Sequence, residues 1–414
     1  LCILGRMGSG RGELVASMAL QDIARGMGAV ILDANGNVAP YILDRLAPDQ
    51  IDRLVYLDPA EAEYPYTWNP IDDARGLPET ERLPFVIALI RTTYNLPPGI
   101  LVDEGAALIL GKPGTTLITL YLAATDAEWR KAFFGEDVAG LKKFEDMLAA
   151  NAEAVKAFEE HSKYVGKDTL VRNLLGQKES KFTLEKVASG QIVVVDFSKI
   201  RMFPTRMTPV VRAFVEATRV AAAHAPHPVS LYLQDALRYL DDEVAERILS
   251  DHHLMITVAD TMIQEADKDR REKALARIGS VVSFATHPSD RSLIERAFYP
   301  YADPDQLTEM DKGEMIVALT IDAVRTKAFF AKAIPLAERI NVATQDIMVK
   351  SRQKYTTSRV AVDASFKPAE KDDGKGPKDG SFSDAFRNIF AKRAGGGATS
   401  VMPPTETPKT PPSP

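Results

Sequence analysis

The sequence predicts an α/β protein with a mainly parallel sheet, an all-helical insert and a disordered C-terminal tail. A glycine-rich loop at residues 5–12 stands between a short apolar segment and a helical pattern, and strand and helix patterns alternate after it. The strand pattern disappears between residues 73 and 190 and then returns. From residue 365 onward Gly, Pro, Ser, Thr and Lys dominate, which is a composition typical of disordered chain.

The first 72 residues predict alternating strands and helices. Residues 1–4 form a strand that leads into the loop, residues 13–25 form a helix, and residues 39–50 are helical. Apolar runs at 29–33 and 53–58 predict two buried strands, and this order favours a parallel sheet. Only four residues precede the loop, whereas strands usually have about five or six residues. We therefore expect a chain that is truncated at its N-terminus.

Five segments follow from these patterns. They are the first part of the α/β core (1–72), the all-helical insert (73–190), the rest of the core (191–345), a connecting segment (346–364) and the disordered tail (365–414). Within 191–345 the predicted strands are 191–198, 229–235, 254–260, 280–286, 313–320 and 325–334, with a helix over 207–224. The tail contains one short segment with helical spacing, residues 381–394.

Composition excludes several classes of protein. The 414 residues carry a net charge of −6, which argues against a wholly basic nucleic-acid binder. Cys2 is the only cysteine, so no internal disulfide forms, and with six scattered histidines we expect no metal cluster. No run reaches the ~18 apolar residues that a membrane-spanning helix needs.

The segment ILGRMGSGRGEL (3–14) has the glycine frame of a phosphate-binding loop, G-x-x-x-x-G-K-[S/T]. Backbone N–H groups of such a turn, with the following helix N-terminus, bind anions. The lysine that reaches the β and γ phosphates is replaced by Arg11, and the hydroxyl that binds Mg²⁺ is missing at Gly12. A working site, a disabled site and a tight turn without ligand all remain open. The candidate nucleotide-binding residues are Gly5, Gly8, Ser9, Gly10, Arg11, Gly12 and Glu13.

Longer stretches resemble the motor domain of type IV secretion coupling proteins and the related HerA/FtsK-like DNA translocases. After the loop come DANGN (33–37), YLDP (56–59) and the pair NP (69–70), in the family's order. LVRNLLGQKESKFTLEKVASGQIVVVDFSKI (170–200) resembles the segment that leaves the helical insert and re-enters the sheet. The resemblance spans about residues 1–340. It implies a RecA-like P-loop NTPase core, ATP as ligand, and a hexameric ring that moves DNA.

The resemblance also identifies the positions of the family's catalytic residues, and most are substituted. The Asp-Glu pair of the Walker B strand is matched by Gln234 and Asp235, and the polar sensor by Thr261. A later family arginine, a candidate finger acting on a neighbouring subunit, is matched by Ala285. Asp196 ends an alternative Walker B strand that comes early in the order. These losses predict weak Mg²⁺ binding and impaired hydrolysis.

Two hypotheses follow. In the first, the chain is a motor-type domain of a DNA-transfer coupling or translocase protein that has lost hydrolysis and serves as a ring or scaffold subunit. In the second, it is an active ATP-driven hexameric DNA translocase for conjugation or type IV secretion. Both imply a homo- or hetero-hexamer, with DNA and secretion-channel proteins as partners. Family members lie at the cytoplasmic face of the inner membrane, so we expect that location here, through an N-terminal anchor missing from this sequence.

Overall fold

A nine-stranded sheet forms the centre of the protein. The computed structural model describes residues 1–96, 98–200, 203–240, 242–261, 278–288, 291–301, 304–341 and 344–366. The strands are β1 (Cys2–Leu4), β2 (Ala29–Asp33), β3 (Leu54–Leu57), β4 (Ile192–Asp196), β5 (Val229–Gln234), β6 (Leu254–Asp260), β7 (Val281–Ser283), β8 (Glu314–Ala318) and β11 (Phe329–Lys332), with a separate β9–β10 hairpin (Thr320–Ile321 and Val324–Arg325). Their order is β11-β8-β7-β1-β6-β5-β2-β4-β3.

The sheet is parallel except at one side, which confirms the predicted α/β class. Strand β8 runs antiparallel to β7 and to β11, and the other pairs are parallel. The carboxyl ends of parallel strands meet at one edge, where Leu4 is in register with Asp260 and Asp33 with Gln234. Because β8 is reversed, its start also lies at this edge. Residues from distant parts of the chain therefore converge there.

Sixteen α-helices accompany the strands in the described part of the chain. They are α1 (Arg11–Ala24), α2 (Ala39–Leu43), α3 (Pro48–Asp52), α4 (Glu79–Tyr94), α5 (Ile100–Leu110), α6 (Thr119–Thr125), α7 (Ala127–Phe134), α8 (Val138–Ala150), α9 (Ala152–Lys167), α10 (Thr169–Leu175), α11 (Pro204–Ala223), α12 (Asp242–Leu249), α13 (Arg291–Phe298), α14 (Pro304–Glu309), α15 (Thr344–Tyr355) and α16 (Arg359–Ser365). Short 3₁₀ helices cover Pro70–Gly76, Leu184–Ser189 and Leu237–Tyr239.

The helical insert packs directly on one face of the sheet. In the described residues between β3 and β4 every regular element is a helix. Alternate strand residues such as Val30 and Leu32 belong to the same buried cluster as Phe85 of α4 and Phe144 of α8. Ile31 faces the other way, into a second cluster with α1. The insert therefore shares its hydrophobic core with the sheet, and its boundaries at 73 and 190 stay a prediction.

The chain after the last strand covers the outer strand β3. Ser351 of α15 accepts a hydrogen bond from Tyr56 N–H (2.8 Å) and donates one to the Tyr56 carbonyl (2.9 Å). This helix satisfies backbone groups that an uncovered edge strand leaves unpaired. The predicted disordered tail begins at residue 365, where Ser365 ends α16. Residues 367–414, with the predicted helical segment 381–394, lie outside the part of the chain that the structure describes. None of the described helices is both long and apolar enough to cross a bilayer.

Candidate functional site

The phosphate loop occupies the turn between β1 and α1, as predicted. Gly8 and Gly10 have φ of 80° and 105°, in the left-handed region that glycine adopts without strain. A Cβ at Gly5 would lie 2.7 Å from Ser9 Oγ and 2.8 Å from Phe284 Cβ. The glycine frame is therefore required by backbone conformation and close packing, which explains its retention whatever the loop binds.

The end of the loop presents backbone donors. Gly10 is the N-cap of the 14-residue helix α1 and provides no side-chain cap. Within the described chain, the N–H groups of residues 10–13 have no protein acceptor. Ser9 Oγ, in a residue 5% exposed, also lacks a partner there. Unpaired N–H groups and the positive end of the helix dipole attract an anion to this position.

A cavity of about 330 Å³ opens over these donors. The loop forms its floor, and the start of α2 with the loop before it forms one wall. Its lining residues are Arg6, Met7, Gly8, Gly10, Arg11, Gly12, Glu13, Gly36, Asn37, Pro40, Tyr41 and Lys312.

A buried hydrogen-bonded group adjoins the cavity through Arg11, and we name it the base network: Arg11, Gln234, Asp235 and Thr261. Arg11 Nη1 and Nη2 donate to the two carboxylate oxygens of Asp235 at 2.9 and 2.7 Å. Nη2 also donates to Thr261 Oγ1 at 2.8 Å. Arg11 and Asp235 are 3% and 4% exposed. The cation that replaces the phosphate-binding lysine is therefore neutralised within the protein.

The rest of the base network surrounds the Asp235 carboxylate. Thr261 donates to Oδ1 from its N–H and from its hydroxyl, both at 2.7 Å, and Gln234 Nε2 donates to Oδ2 at 2.8 Å. Burial opposes ionisation, but the Arg11 guanidinium and the Thr261 donors hold the pKa of Asp235 below its usual range. Asp235 has φ of 51°, a left-handed conformation that is uncommon outside glycine. Both carboxylate oxygens are thus occupied, although the backbone is held in a costly conformation.

Gly12 is fixed by packing against the turn after β2. A Cβ at this position would lie 3.0 Å from the backbone oxygen of Asn37. The Asp33 carboxylate holds that turn, because it accepts hydrogen bonds from the N–H groups of residues 35, 37, 38 and 39 at 2.7 to 3.3 Å. Burial raises the pKa of Asp33 despite these donors. The absence of a hydroxyl-bearing side chain at position 12 therefore has a steric explanation that does not depend on catalysis.

The residues present do not fit Mg²⁺. Gly12 offers no hydroxyl, and both Asp235 oxygens accept hydrogen bonds from Arg11. Gln234 Nε2 donates to Asp235, and its Oε1, which has no partner among the described residues, is a neutral amide oxygen rather than a carboxylate. Among the described residues, no group of three or more His, Cys, Asp or Glu side chains is placed to hold a metal ion. Magnesium prefers carboxylate and water oxygens, with phosphate oxygens from its substrate.

The open side of the cavity carries a second ion pair, which we name the rim pair: Glu13 and Lys312. Lys312 Nζ lies 2.7 Å from Glu13 Oε1, with side chains 67% and 25% exposed. Lys312 belongs to the turn before β8, and Gly313 N–H donates to the Ser9 carbonyl at 2.8 Å. Sequence reasoning missed Lys312, because only the reversal of β8 brings the start of that strand to the loop.

Two further positions predicted from the sequence, Asp196 and Ala285, lie outside the base network. Asp196 accepts hydrogen bonds from Tyr56 Oη and Ser198 N–H, both at 2.9 Å, and β4 is separated from β1 by three strands. Ala285 is 1% exposed, and its carbonyl accepts the Arg6 N–H of the same chain at 2.8 Å. The side chain at position 285 is therefore buried within its own chain.

The whole fold can be compared with solved structures. Strand β6 lies between the loop strand β1 and β5, the strand that ends at Gln234. A bacterial conjugative coupling protein, TrwBdeltaN70, superposes with a TM-score of 0.59 at 13% identity, over 82% of this chain and 85% of that one. This chain has the fold of that coupling protein.

Other solved structures agree on the fold. TrwB in complex with ADP and Mg²⁺ matches with a TM-score of 0.58 at 14% identity, covering 82% of this chain and 86% of TrwB. VirB4 of Thermoanaerobacter pseudethanolicus matches at 0.50 and 12% identity, covering 83% and 90%. No protein-family model matches the sequence, and no curated protein does. At these identities the likeness establishes the P-loop NTPase fold alone.

Proposed function

We propose that this chain is a motor-type subunit of a conjugative DNA-transfer machine that binds nucleotide phosphates without hydrolysing them. The observation that carries the proposal is the base network. It joins Arg11, Gln234, Asp235 and Thr261, which the resemblance matches to four catalytic positions of the family, in one set of hydrogen bonds centred on the Asp235 carboxylate.

The chemistry of phosphoryl transfer gives the physical reason. The transition state needs cations on the β and γ phosphate oxygens, a metal ion, and a group that orients the attacking water. Arg11 is 3% exposed and bound to Asp235, which therefore has no oxygen free to orient water. Phosphate binding needs less, because the unpaired N–H groups of residues 10–13 remain at the floor of the cavity.

The cellular role rests on the likeness to TrwB, whose structure is described as a conjugative coupling protein. We infer a homo- or hetero-hexameric ring with DNA and secretion-channel proteins as partners. Its place is the cytoplasmic face of the inner membrane. Without hydrolysis the subunit acts as a scaffold, or as a nucleotide-dependent element beside an active relative.

The decisive experiment measures binding and turnover on the same preparation. Titration calorimetry with ATP and ADP, with and without Mg²⁺, is expected to show binding that does not need the metal. Phosphate release with single- and double-stranded DNA is expected to stay at background. DNA-stimulated turnover would instead establish the alternative, an active hexameric translocase. Absence of binding would leave the loop as a structural turn.

A restoring variant separates lost catalysis from a missing partner. Arg11→Lys with Gln234→Asp and Asp235→Glu returns the side chains that hydrolysis uses, while Gly12 is kept because of its contact with Asn37. Arg25→Lys makes the same type of change at a side chain 68% exposed near the end of α1 and serves as the matched control. Gain of turnover only in the restoring variant supports the proposal. Fast turnover already in the unchanged chain contradicts it.

A further inference from the structure

The rim pair gives the cavity a cation that the sequence motif does not contain. Arg11 lines the cavity, but its guanidinium is bound to Asp235 in the base network, so its charge is balanced before a ligand arrives. The other cations that line the cavity are Arg6 and Lys312. Lys312 is 67% exposed in its side chain, and the described contacts give it one ionic partner, Glu13.

The turn that carries Lys312 is fastened to the loop by backbone contacts. Gly313 N–H donates to the Ser9 carbonyl at 2.8 Å, and the Gly313 carbonyl accepts Ala333 N–H at 2.7 Å. A Cβ at Gly10 would lie 3.2 Å from Gly313 Cα, which shows how closely the two segments approach. Main-chain contacts therefore fix the backbone of this turn beside the loop, and the flexible Lys312 side chain extends from that fixed position.

We propose that Lys312 takes over the role of the missing loop lysine, binding the terminal phosphate of a nucleotide, and that Glu13 competes with the phosphate for it. This inference rests on the proposed nucleotide binding. A phosphate carries more negative charge than a carboxylate and offers several oxygens, so it displaces Glu13 once the loop N–H groups hold it. Glu13 is then an internal competitor that lowers the affinity for anions.

The two members of the pair are expected to act in opposite directions. Lys312→Met removes a charged hydrogen bond to phosphate and is expected to weaken ATP binding about tenfold or more. Glu13→Gln frees the ammonium and is expected to tighten binding about two- to fivefold, the size of an exposed ion pair. Lys327→Met removes the same charge from an exposed residue outside the cavity lining and is expected to change nothing.

Calorimetric titration of the full chain with ATP, ADP and pyrophosphate, without Mg²⁺, tests these directions. Thermal melting of each variant confirms that it is folded. If the unchanged chain binds ATP and Lys312→Met binds it equally well, the role of Lys312 is overturned while the proposed function stands. If the unchanged chain shows no binding but Glu13→Gln does, the competition is supported. If none binds, both proposals fall.

Chemical labelling gives an independent readout. An amine-reactive ester modifies Lys312 and Lys327 in the free protein, and mass spectrometry measures each site. ATP is expected to protect Lys312 severalfold and to leave Lys327 unchanged. Equal labelling of Lys312 with and without saturating ATP would overturn the contact.

Discussion

The phosphate loop has a buried side and an open side, and they hold their charges in opposite ways. In the base network, Arg11 and Asp235 are 3% and 4% exposed and make two direct hydrogen bonds to each other. In the rim pair, Glu13 and Lys312 share a single contact, and solvent reaches both side chains. The first arrangement is costly to disturb, and the second exchanges its partner easily. The ion pair on the buried side is thus fixed within the protein, and the ion pair on the open side is accessible to solvent.

The largest expected effect comes from breaking the base network. Asp235→Asn keeps the shape and tolerates the positive φ, but it leaves Arg11 buried without a countercharge. The free energy of unfolding is expected to fall by about 3–5 kcal/mol, as for other buried pairs that lose one partner. Chemical denaturation measures it. Asp103→Asn, in a half-exposed pair with Arg91, is the control and should cost less than about 1 kcal/mol. Equal losses would contradict the difference between buried and open pairs.

A second buried carboxyl, that of Asp73, extends the comparison, because none of the ion pairs among the described residues includes it. It accepts Trp68 Nε1–H at 2.9 Å and Leu184 N–H at 2.8 Å, and burial raises its pKa to about 7. A raised folded pKa means that stability falls as pH rises from about 4 to 7, by up to about 4 kcal/mol. Asp235, with its lowered pKa, instead loses stability as pH falls below about 4.

Denaturation midpoints measured across pH 4 to 8 separate these two carboxyls. Asp73→Asn is expected to reduce the fall in stability between pH 4 and 7. The slope of stability against pH is compared rather than the absolute stability, since the amide also changes the hydrogen bonds at this position. Asp103→Asn again serves as the control. A decline that is unchanged in Asp73→Asn would show that this carboxyl is already ionised at pH 4.

The substitution Gly12→Thr tests whether restoring the motif residue of the loop also restores hydrolysis. Gly12→Thr restores the hydroxyl of the motif but forces the backbone oxygen of Asn37 to move, at a cost of about 1–3 kcal/mol. We expect a lower melting temperature and no gain of turnover. For the control Gly99→Thr, a Cβ at Gly99 meets nothing within 4 Å among the described residues. A stable Gly12→Thr protein with DNA-stimulated turnover would contradict the steric reason for glycine.

The smallest effect on stability is expected at the rim pair. Glu13→Gln and Lys312→Met should each change the free energy of unfolding by less than about 1 kcal/mol, because exposed ion pairs contribute little and are screened by salt. Chemical denaturation at low and high salt measures it. A loss as large as that of Asp235→Asn would mean that the pair holds the loop in place rather than serving a ligand.

The sequence predicted much of the fold because the strands are short buried runs with turns between them. The segments 29–33 and 254–260 coincide with β2 and β6. The resemblance also grouped Arg11, Gln234, Asp235 and Thr261 as one functional set, and the structure joins them. Their mutual hydrogen bonds were not predictable, since Arg11 and Asp235 are 224 residues apart and their contact depends on the strand order.

Other features depended on geometry that a linear pattern does not contain. Gly12 looked like a lost ligand, and only the approach of the turn after β2 gives it a steric role. Most of α15 and α16 lies in the predicted connecting segment 346–364, and Ser351 of α15 hydrogen-bonds to the edge strand β3, a contact that the linear pattern does not show. The sequence does offer one signal for Lys312. It precedes a glycine at the start of a strand, and turns at the carboxyl edge of a sheet are where ligands bind.

The central place of β1 has a consequence for how the protein is made. β1 pairs with β6 on one side and β7 on the other, and the Leu1 amino group donates to the Ile256 carbonyl, 255 residues away. At roughly 5–20 residues per second, a ribosome needs about 10–50 s to supply those partners. Throughout that interval β1, the strand that leads into the phosphate loop, has neither of its two neighbouring strands to pair with. The loop therefore reaches its final conformation only after residues 254–283 have been made.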